Sequence, residues 1–276
     1  MSTAPVGLIP AAGRGTRVAP LPGSKELFPV GQAPAPDGTP RPVVASQYLL
    51  TAYRAAGVQT VYWILRDGKW DIPAYWGDGH RLRMHFAYCM MRRPYGVPFT
   101  INQAAPFIRD RTVLLGFPDI LFHPPNLFAQ LHNRLLQEDA DVVLGCMPVS
   151  DPARVDVVER APNGSVQSVH VKRADSPLRT AWMCAAWQPA FTRWLHHRLD
   201  EILPSLEQES LDPKSLKQRE LHLGHLFQDA LDDGLTIQSV YVPEGHFLDI
   251  GTPESLHRAM STPLTELLAP RIPHTP

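Results

Sequence analysis

The sequence predicts an α/β protein built on a mixed, mainly parallel sheet with helices against both faces. Three observations predict it. Short apolar runs alternate with stretches of helical spacing from Val6 to Met147, which is the pattern of strands joined by helical crossovers. The first run ends in a glycine-rich turn, AAGRGTR. Beyond Arg154 the texture shifts to alternating, turn-bearing sequence, which adds a smaller β-rich part.

Taken in order, Val6–Pro10 reads as a buried strand feeding the glycine turn. Pro20, Pro22 and Pro29 hold the next stretch extended, and Gly31–Pro42 (GQAPAPDGTPRP) reads as a Pro/Gly loop. Tyr48, Ala52 and Ala55 recur at helical spacing, so Ser46–Gly57 is a helix stopped by Gly57. Thr60–Leu65 is a buried-type strand. Leu82–Tyr88 reads as a strand, Asn102–Ile108 as a helix, Thr112–Leu115 as an apolar strand, Asn126–Gln137 as a helix and Asp141–Met147 as a strand. In VDVVERAPNGSVQSVHVKR, Asn163-Gly164 marks a hairpin. The run TAWMCAAW is a further strand. Helices over Ala190–Leu203 and Gln218–Asp233 follow, then the strand LTIQSVYV and a helix from Thr252 to Met260. Residues 263–276 form a Pro-rich tail. This division gives one domain over residues 1–262, with halves of about 1–150 and 151–262.

Composition limits the function classes. The 276 residues carry 26 Lys and Arg against 27 Asp and Glu, a formal charge of −1. A dedicated nucleic-acid binder carries a basic excess, so nucleic acid is not an expected partner. No run of 18 apolar residues is present, so no membrane span is expected. Cys89, Cys146 and Cys184 are dispersed and odd in number. They read as core thiols in a reducing, cytoplasmic setting.

The chemistry concentrates in GLIPAAGRGTRVAPLPGSKELFPV, Gly7–Val30. Glycines let backbone amides approach an anion closely, and Arg17 and Lys25 add fixed positive charge. Each such cation–phosphate contact is worth roughly 4 kcal/mol before desolvation, at about 4 Å and an effective dielectric near 20. Two familiar phosphate loops are excluded. Val18 stands where a dinucleotide fingerprint needs its third glycine, and Gly23-Ser24-Lys25-Glu26 is not the Gly-Lys-Ser/Thr of a P-loop.

The string GxGTRxxPxxxxxKEL resembles the nucleotide-binding motif of the sugar-1-phosphate nucleotidyltransferases, such as the glucose-1-phosphate thymidylyl- and uridylyltransferases. That resemblance implies a Rossmann-like mixed sheet, a nucleoside triphosphate and a sugar phosphate as ligands, and Mg²⁺ as cofactor, with dTTP or UTP favoured. It implies catalytic roles for Arg17 and Lys25. It implies nucleotide contacts from Ala11, Ala12, Gly13, Arg14, Gly15, Thr16 and, in the base-reading segment, Gly96, although that segment has no glutamine here. LLGFPDILF offers Asp119 and FLDIGTPESL offers Asp249 as the metal carboxylates. The family's Gly-Asp is replaced here by Gly116-Phe117-Pro118-Asp119. Glu159 and Lys172 match the acceptor-binding segment, with Val171 where the family has Glu. The same resemblance implies a homo-oligomer. The alternatives are a nucleotidyltransferase acting on a non-sugar phosphate, such as an amino-alcohol phosphate, and a non-catalytic nucleotide-sugar binder.

Elsewhere the plainer readings prevail. His222 and His225, three apart on a predicted helix opposite a Leu/Phe stripe, read as part of a solvated polar face, as do His196 and His197. Trp63, Trp70 and Trp76 read as packing residues, and Arg66–Gly79 as an aromatic-bearing surface segment.

Overall fold

The computed structural model describes residues 4–34, 37–209 and 220–262. The first half runs β1 (Val6–Pro10), β2 (Pro29–Pro34), β3 (Pro40–Val44), α1 (Ala45–Ala55), β4 (Thr60–Leu65), α2 (Asp71–Trp76), β5 (His85–Met90), α3 (Val97–Ile101), α4 (Ala105–Ile108), β6 (Val113–Leu115), β7 (Ile120–His123), α5 (Leu127–Gln137) and β8 (Val142–Pro148). The second half adds β9 (Val157–Arg160), β10 (Val166–His170), β11 (Thr180–Trp187), α6 (Pro189–Glu209), α7 (Leu223–Asp232), β12 (Ile237–Tyr241), β13 (His246–Asp249) and α8 (Pro253–Ser261).

One nine-stranded sheet runs through both halves. β5, β4, β1 and β6 are parallel neighbours in that order. β11 is antiparallel to β6, β8 and β9, and β12 lies parallel to β8. Strands buried on both faces need continuous apolar sequence, and β6 and β11 supply it: Val113, Leu114 and Leu115 are fully buried, and so is nearly all of β11. The α/β architecture with a mixed, partly parallel sheet is therefore as the sequence predicts.

Several local expectations are corrected. Gly31–Pro42 is not a plain loop. Its ends fall in the antiparallel ribbon of β2 and β3, which tolerates proline because each strand pairs only with the other. The strand expected over Leu82–Tyr88 begins later: residues 80–82 form a 3-10 turn and pairing with β4 runs from His85 to Met90. The helix expected over Asn102–Ile108 is the end of a longer helical segment that starts at Val97. Pro98 and Pro106 both occupy first-turn positions, where a missing N–H costs nothing. The helix from Ala190 extends to Glu209. Of the helix expected over Gln218–Asp233, residues 218 and 219 lie outside the described residues, as does the 263–276 tail, and the described helix starts at Leu223.

A small separate core sits beneath the glycine turn. Val18, Val30, Ala45, Leu121, Ile250, Leu256 and Ala259 pack together. Val18, the residue that breaks the dinucleotide fingerprint, is the buried anchor of the turn in this core.

Candidate active site

The glycine turn follows β1, where parallel strands leave the sheet and ligands of open α/β folds bind. Gly15 has φ +63°, a conformation that favours glycine, and its carbonyl accepts from the Val18 N–H at 3.1 Å. This turn leaves Gly13, Arg14 and Gly15 lining a cavity of about 490 Å³. Ala11 and Ala12 are buried at its root, and Thr16 and Arg17 are exposed.

Two acidic residues 130 positions apart (249 − 119) meet at one edge of this site. β13 pairs antiparallel with β7, setting Asp249 opposite Ile120, and the Ile250 N–H donates to the Asp119 carbonyl at 3.0 Å. Sheet pairing thus holds the two carboxylates side by side. The Asp249 carboxyl is raised above 3.8 by burial first and by repulsion from Asp119 second, against the pull of Lys25, the Gly251 N–H and Arg17. Gly251 N–H donates to Asp249 Oδ1 at 2.7 Å, and Arg17 approaches Oδ2 at 4.0 Å. After Thr252 the chain turns into α8 through a capping box with Ser255.

Lys25 bridges the carboxylates and the cavity. Its ammonium donates to Asp119 Oδ2 and it lines the cavity wall. Burial pulls the Lys25 pKa down, but Asp119, with Glu26 and Asp249, overrides it and leaves it above 10.5. The structure therefore brings Arg17, Lys25, Asp119, Asp249 and the glycine turn into one neighbourhood. Two adjoining carboxylates that repel each other suit a hard divalent cation. Mg²⁺ is commonly held by one or two carboxylates plus substrate phosphates. No group of three or more His, Cys, Asp or Glu side chains with metal-binding geometry is present among the described residues.

Gly96 is not among the residues lining that cavity and instead joins the two halves of the chain. Its φ is +110°, and a Cβ there would lie 2.2 Å from the Leu221 carbonyl oxygen. Gly96 and Leu221 form an isolated parallel bridge, and Leu221 N–H donates to the Tyr95 carbonyl at 3.0 Å. This bridge ties the segment after β5 to the entry of α7.

Lys172 follows β10 with φ +45°, an uncommon conformation for a residue with a side chain. Its ammonium lies 3.5 Å from His222 Nδ1. His222 is half-buried rather than part of a solvated face. Its pKa is lowered by burial and then by Lys172. Both face Asp156, a carboxyl raised by burial despite His222, Lys172 and His225. Asp156 Oδ1 and the buried Trp182 Nε1 have no hydrogen-bond partner of ordinary geometry. Trp182 packs against Phe117, two residues before Asp119, at 6.0 Å between ring centroids. Glu159 stands apart, exposed and accepting from Ser168 Oγ at 2.9 Å. His225 is exposed, and His196 and His197 face Asp200 and Glu201 on the solvent side of α6.

Sequence reasoning missed a second charged set. Lys69 and Glu26, 5% and 2% exposed, are paired at 2.6 Å. Asp71 receives both the Ser24 N–H at 2.6 Å and the Ser24 hydroxyl at 2.7 Å. Trp63 and Trp76 are buried as expected, but Trp70 is 57% exposed. Cys146 and Cys184 are buried, Cys89 is half-buried, and all three thiols are free. No described helix is long and apolar enough to cross a membrane.

A mixed sheet with a glycine turn, paired carboxylates and an adjoining cationic cavity defines a nucleotidyltransferase-like architecture. Comparison with known proteins agrees. The chain is 26% identical over 278 residues to a glucose-1-phosphate thymidylyltransferase of Streptomyces antibioticus, covering 97% of this chain and 68% of that protein. It is 25% identical over 258 residues to a glucose-1-phosphate thymidylyltransferase of Neisseria gonorrhoeae, covering 92% and 81%. Its fold matches a UDP-glucose pyrophosphorylase of Acinetobacter baumanii with TM-score 0.71 at 16% identity, over 94% of this chain and 92% of that one. It also matches the inositol-1-phosphate CTP transferase of T. maritima with TM-score 0.67 at 17% identity, over 98% and 100%. No family model matches. Over most of its length the chain is thus similar in sequence to glucose-1-phosphate thymidylyltransferases.

Proposed function

We propose that this protein transfers a nucleoside monophosphate from a triphosphate to a phosphorylated acceptor and releases pyrophosphate. The observation that carries this reading is the juxtaposition of Asp119 and Asp249 beside Lys25 and the glycine turn. An acceptor phosphate oxygen attacks the α-phosphorus in line. One P–O bond forms, and the bond to pyrophosphate breaks. The acceptor phosphate is already ionised, so no general base is needed, and positioning with charge neutralisation carries the rate.

The roles divide by location. Backbone amides from Ala11 to Thr16 receive the nucleotide, with Ala12 and Gly13 toward base and ribose and Arg14 at the cavity. Gly96 borders the base. Arg17 and Lys25 offset charge on the triphosphate, Arg17 toward the leaving pyrophosphate. Lys172 binds the acceptor phosphate, with His222 and Asp156 beside it. Asp119 and Asp249 would hold Mg²⁺, which when bound neutralises phosphate charge.

The favoured substrates are dTTP or UTP with a sugar 1-phosphate, by likeness to the thymidylyltransferases. The inositol-1-phosphate CTP transferase among the structural neighbours supports a second reading with CTP and a non-sugar alcohol phosphate. The test is pyrophosphate release over a panel of triphosphates and acceptors, with Mg²⁺ and with EDTA. The acceptors are hexose 1-phosphates, inositol 1-phosphate and phosphocholine. Turnover is expected only with Mg²⁺. A chain that binds nucleotide but turns over no pair would be a binding protein and would refute the enzymatic reading.

A further inference from the structure

Lys69 lines the cavity beside the glycine turn and is paired with the buried Glu26, and neither residue has a role in the transfer described above. Lys69 comes from the segment after β4, whereas Glu26 directly follows Lys25. The contact is short, 2.6 Å, and both side chains are almost fully removed from water, at 6% and 2% exposure. The second oxygen, Glu26 Oε2, has no hydrogen-bond partner. Asp71 clamps the same two segments through both polar groups of Ser24. A buried ion pair is poor evidence of stabilisation, because an apolar replacement of like volume often serves as well. Its placement calls for another account.

The neighbours supply one. Glu26 lies within electrostatic range of Lys25 as well as Lys69. Lys25 in turn holds Asp119, Asp119 adjoins Asp249, and Arg17 approaches Asp249. The charges alternate across the site: Lys69, Glu26, Lys25, Asp119. With Lys69 absent, Glu26 is a buried carboxylate with Lys25 as a neighbouring cation.

We infer that Lys69 is a positioning residue: by occupying Glu26 it keeps the Lys25 ammonium directed to Asp119 and to the phosphate cavity. Lys69 itself donates no contact to the substrate. The inference rests on the proposed triphosphate reading of the cavity. It extends that reading to the segment 66–71, which sets the charge available at Lys25.

The test is isothermal titration of dTTP, UTP and CTP into the full chain in EDTA, alongside steady-state kinetics with Mg²⁺. Lys69→Met is expected to weaken triphosphate binding by on the order of tenfold or more, raising the KM for triphosphate and leaving the acceptor KM unmoved. Adding Glu26→Gln removes the competing carboxylate, so Lys69→Met/Glu26→Gln is expected to recover binding to within about threefold of wild type. Lys69→Gln keeps a donor to Glu26 but loses the charge. It carries the same expectation as Lys69→Met and serves where that variant does not fold. Circular dichroism confirms that each compared chain is folded. Wild-type binding equalled by Lys69→Met or Lys69→Gln overturns the positioning role alone. So does a folded double variant no better than the single one. A wild type that neither binds a triphosphate in EDTA nor turns one over with Mg²⁺ overturns the functional reading, and the positioning role with it.

Discussion

Asp119→Asn and Asp249→Asn are expected to lower turnover alike but to change stability in different ways. Neutralising Asp119 strands the Lys25 ammonium, whose side chain is 13% exposed. Breaking one partner of a buried pair costs about 3–5 kcal/mol, here reduced to about 2–4 because both groups keep some contact with water. For a chain of this size that lowers Tm by about 5–12 °C. Neutralising Asp249 removes a like-charge neighbour of Asp119. Its pair with Arg17 is loose, at 4.0 Å with side chains 66% and 43% exposed, and is worth about 0–1 kcal/mol. Asparagine keeps the oxygen that accepts from Gly251. The net change for Asp249→Asn is therefore about 1 kcal/mol or less, in the stabilising direction. The pH dependence has a definite sign. The folded Asp249 carboxyl is raised above 3.8, so its contribution is fully present below that value and is lost as pH rises through the folded value. Asp249→Asn removes that loss. Thermal melts across the acidic range, with pyrophosphate release on the same preparations, check both halves. Turnover is expected to fall by on the order of 10²–10⁴ in each variant, about 3–5 kcal/mol of barrier. Equal destabilisation by the two substitutions, or retained turnover in both, refutes the reasoning.

The remaining predictions concern the junction of the two halves and the acceptor side. Gly96→Ala forces a side chain onto a +110° φ and into the Leu221 carbonyl, so denaturant unfolding is expected to show a loss of about 2–4 kcal/mol. Lys172→Met is expected to raise the acceptor KM on the order of tenfold and leave the triphosphate KM unchanged in initial-rate kinetics. The reverse pattern would remove Lys172 from the acceptor site.

The parts legible in sequence are those whose chemistry is local. The helix start at Thr252 needs only Thr252 and Pro253, and the buried strand β6 needs only its apolar run. The glycine turn is legible for the same reason, since the φ of +63° at Gly15 is permitted by its own residue type. Asp119 and Asp249 became a pair in sequence only by resemblance. Their adjacency depends on β7 pairing with β13, two strands of four residues each that no periodicity of that length identifies. The Lys69–Glu26 pair was not legible at all. Its partners are 43 positions apart, and a lysine between Gly68 and Trp70 looks like any solvated loop cation. His222 was misread for a related reason. Helical spacing put it opposite the Leu/Phe stripe, yet it stands at the helix entrance, where Lys172 and Asp156 arrive from a different part of the sheet. Periodicity reports which way a residue faces along its own helix, not what the neighbouring segment places against it.

The contact between Lys25 and Asp119 has one further consequence. An ammonium held on a carboxylate competes with any divalent cation for the same oxygen, so the two carboxylates and Lys25 are linked. Phosphate can draw Lys25 away only as Asp119 loses its present counter-charge, and a cation can take Asp119 only as Lys25 leaves. Removing the ammonium removes the competitor. Lys25→Met is therefore expected to bind Mn²⁺ in the absence of nucleotide more tightly than wild type, on the order of tenfold, while losing turnover. Electron paramagnetic resonance of free Mn²⁺ reads the binding directly and does not depend on catalysis. Asp249→Asn in the Lys25→Met background is expected to abolish the gain. Mn²⁺ binding that is unchanged or weaker in Lys25→Met would mean that the carboxylates do not form a cation site, and the proposed division of roles between Lys25 and Asp119 would fail with it.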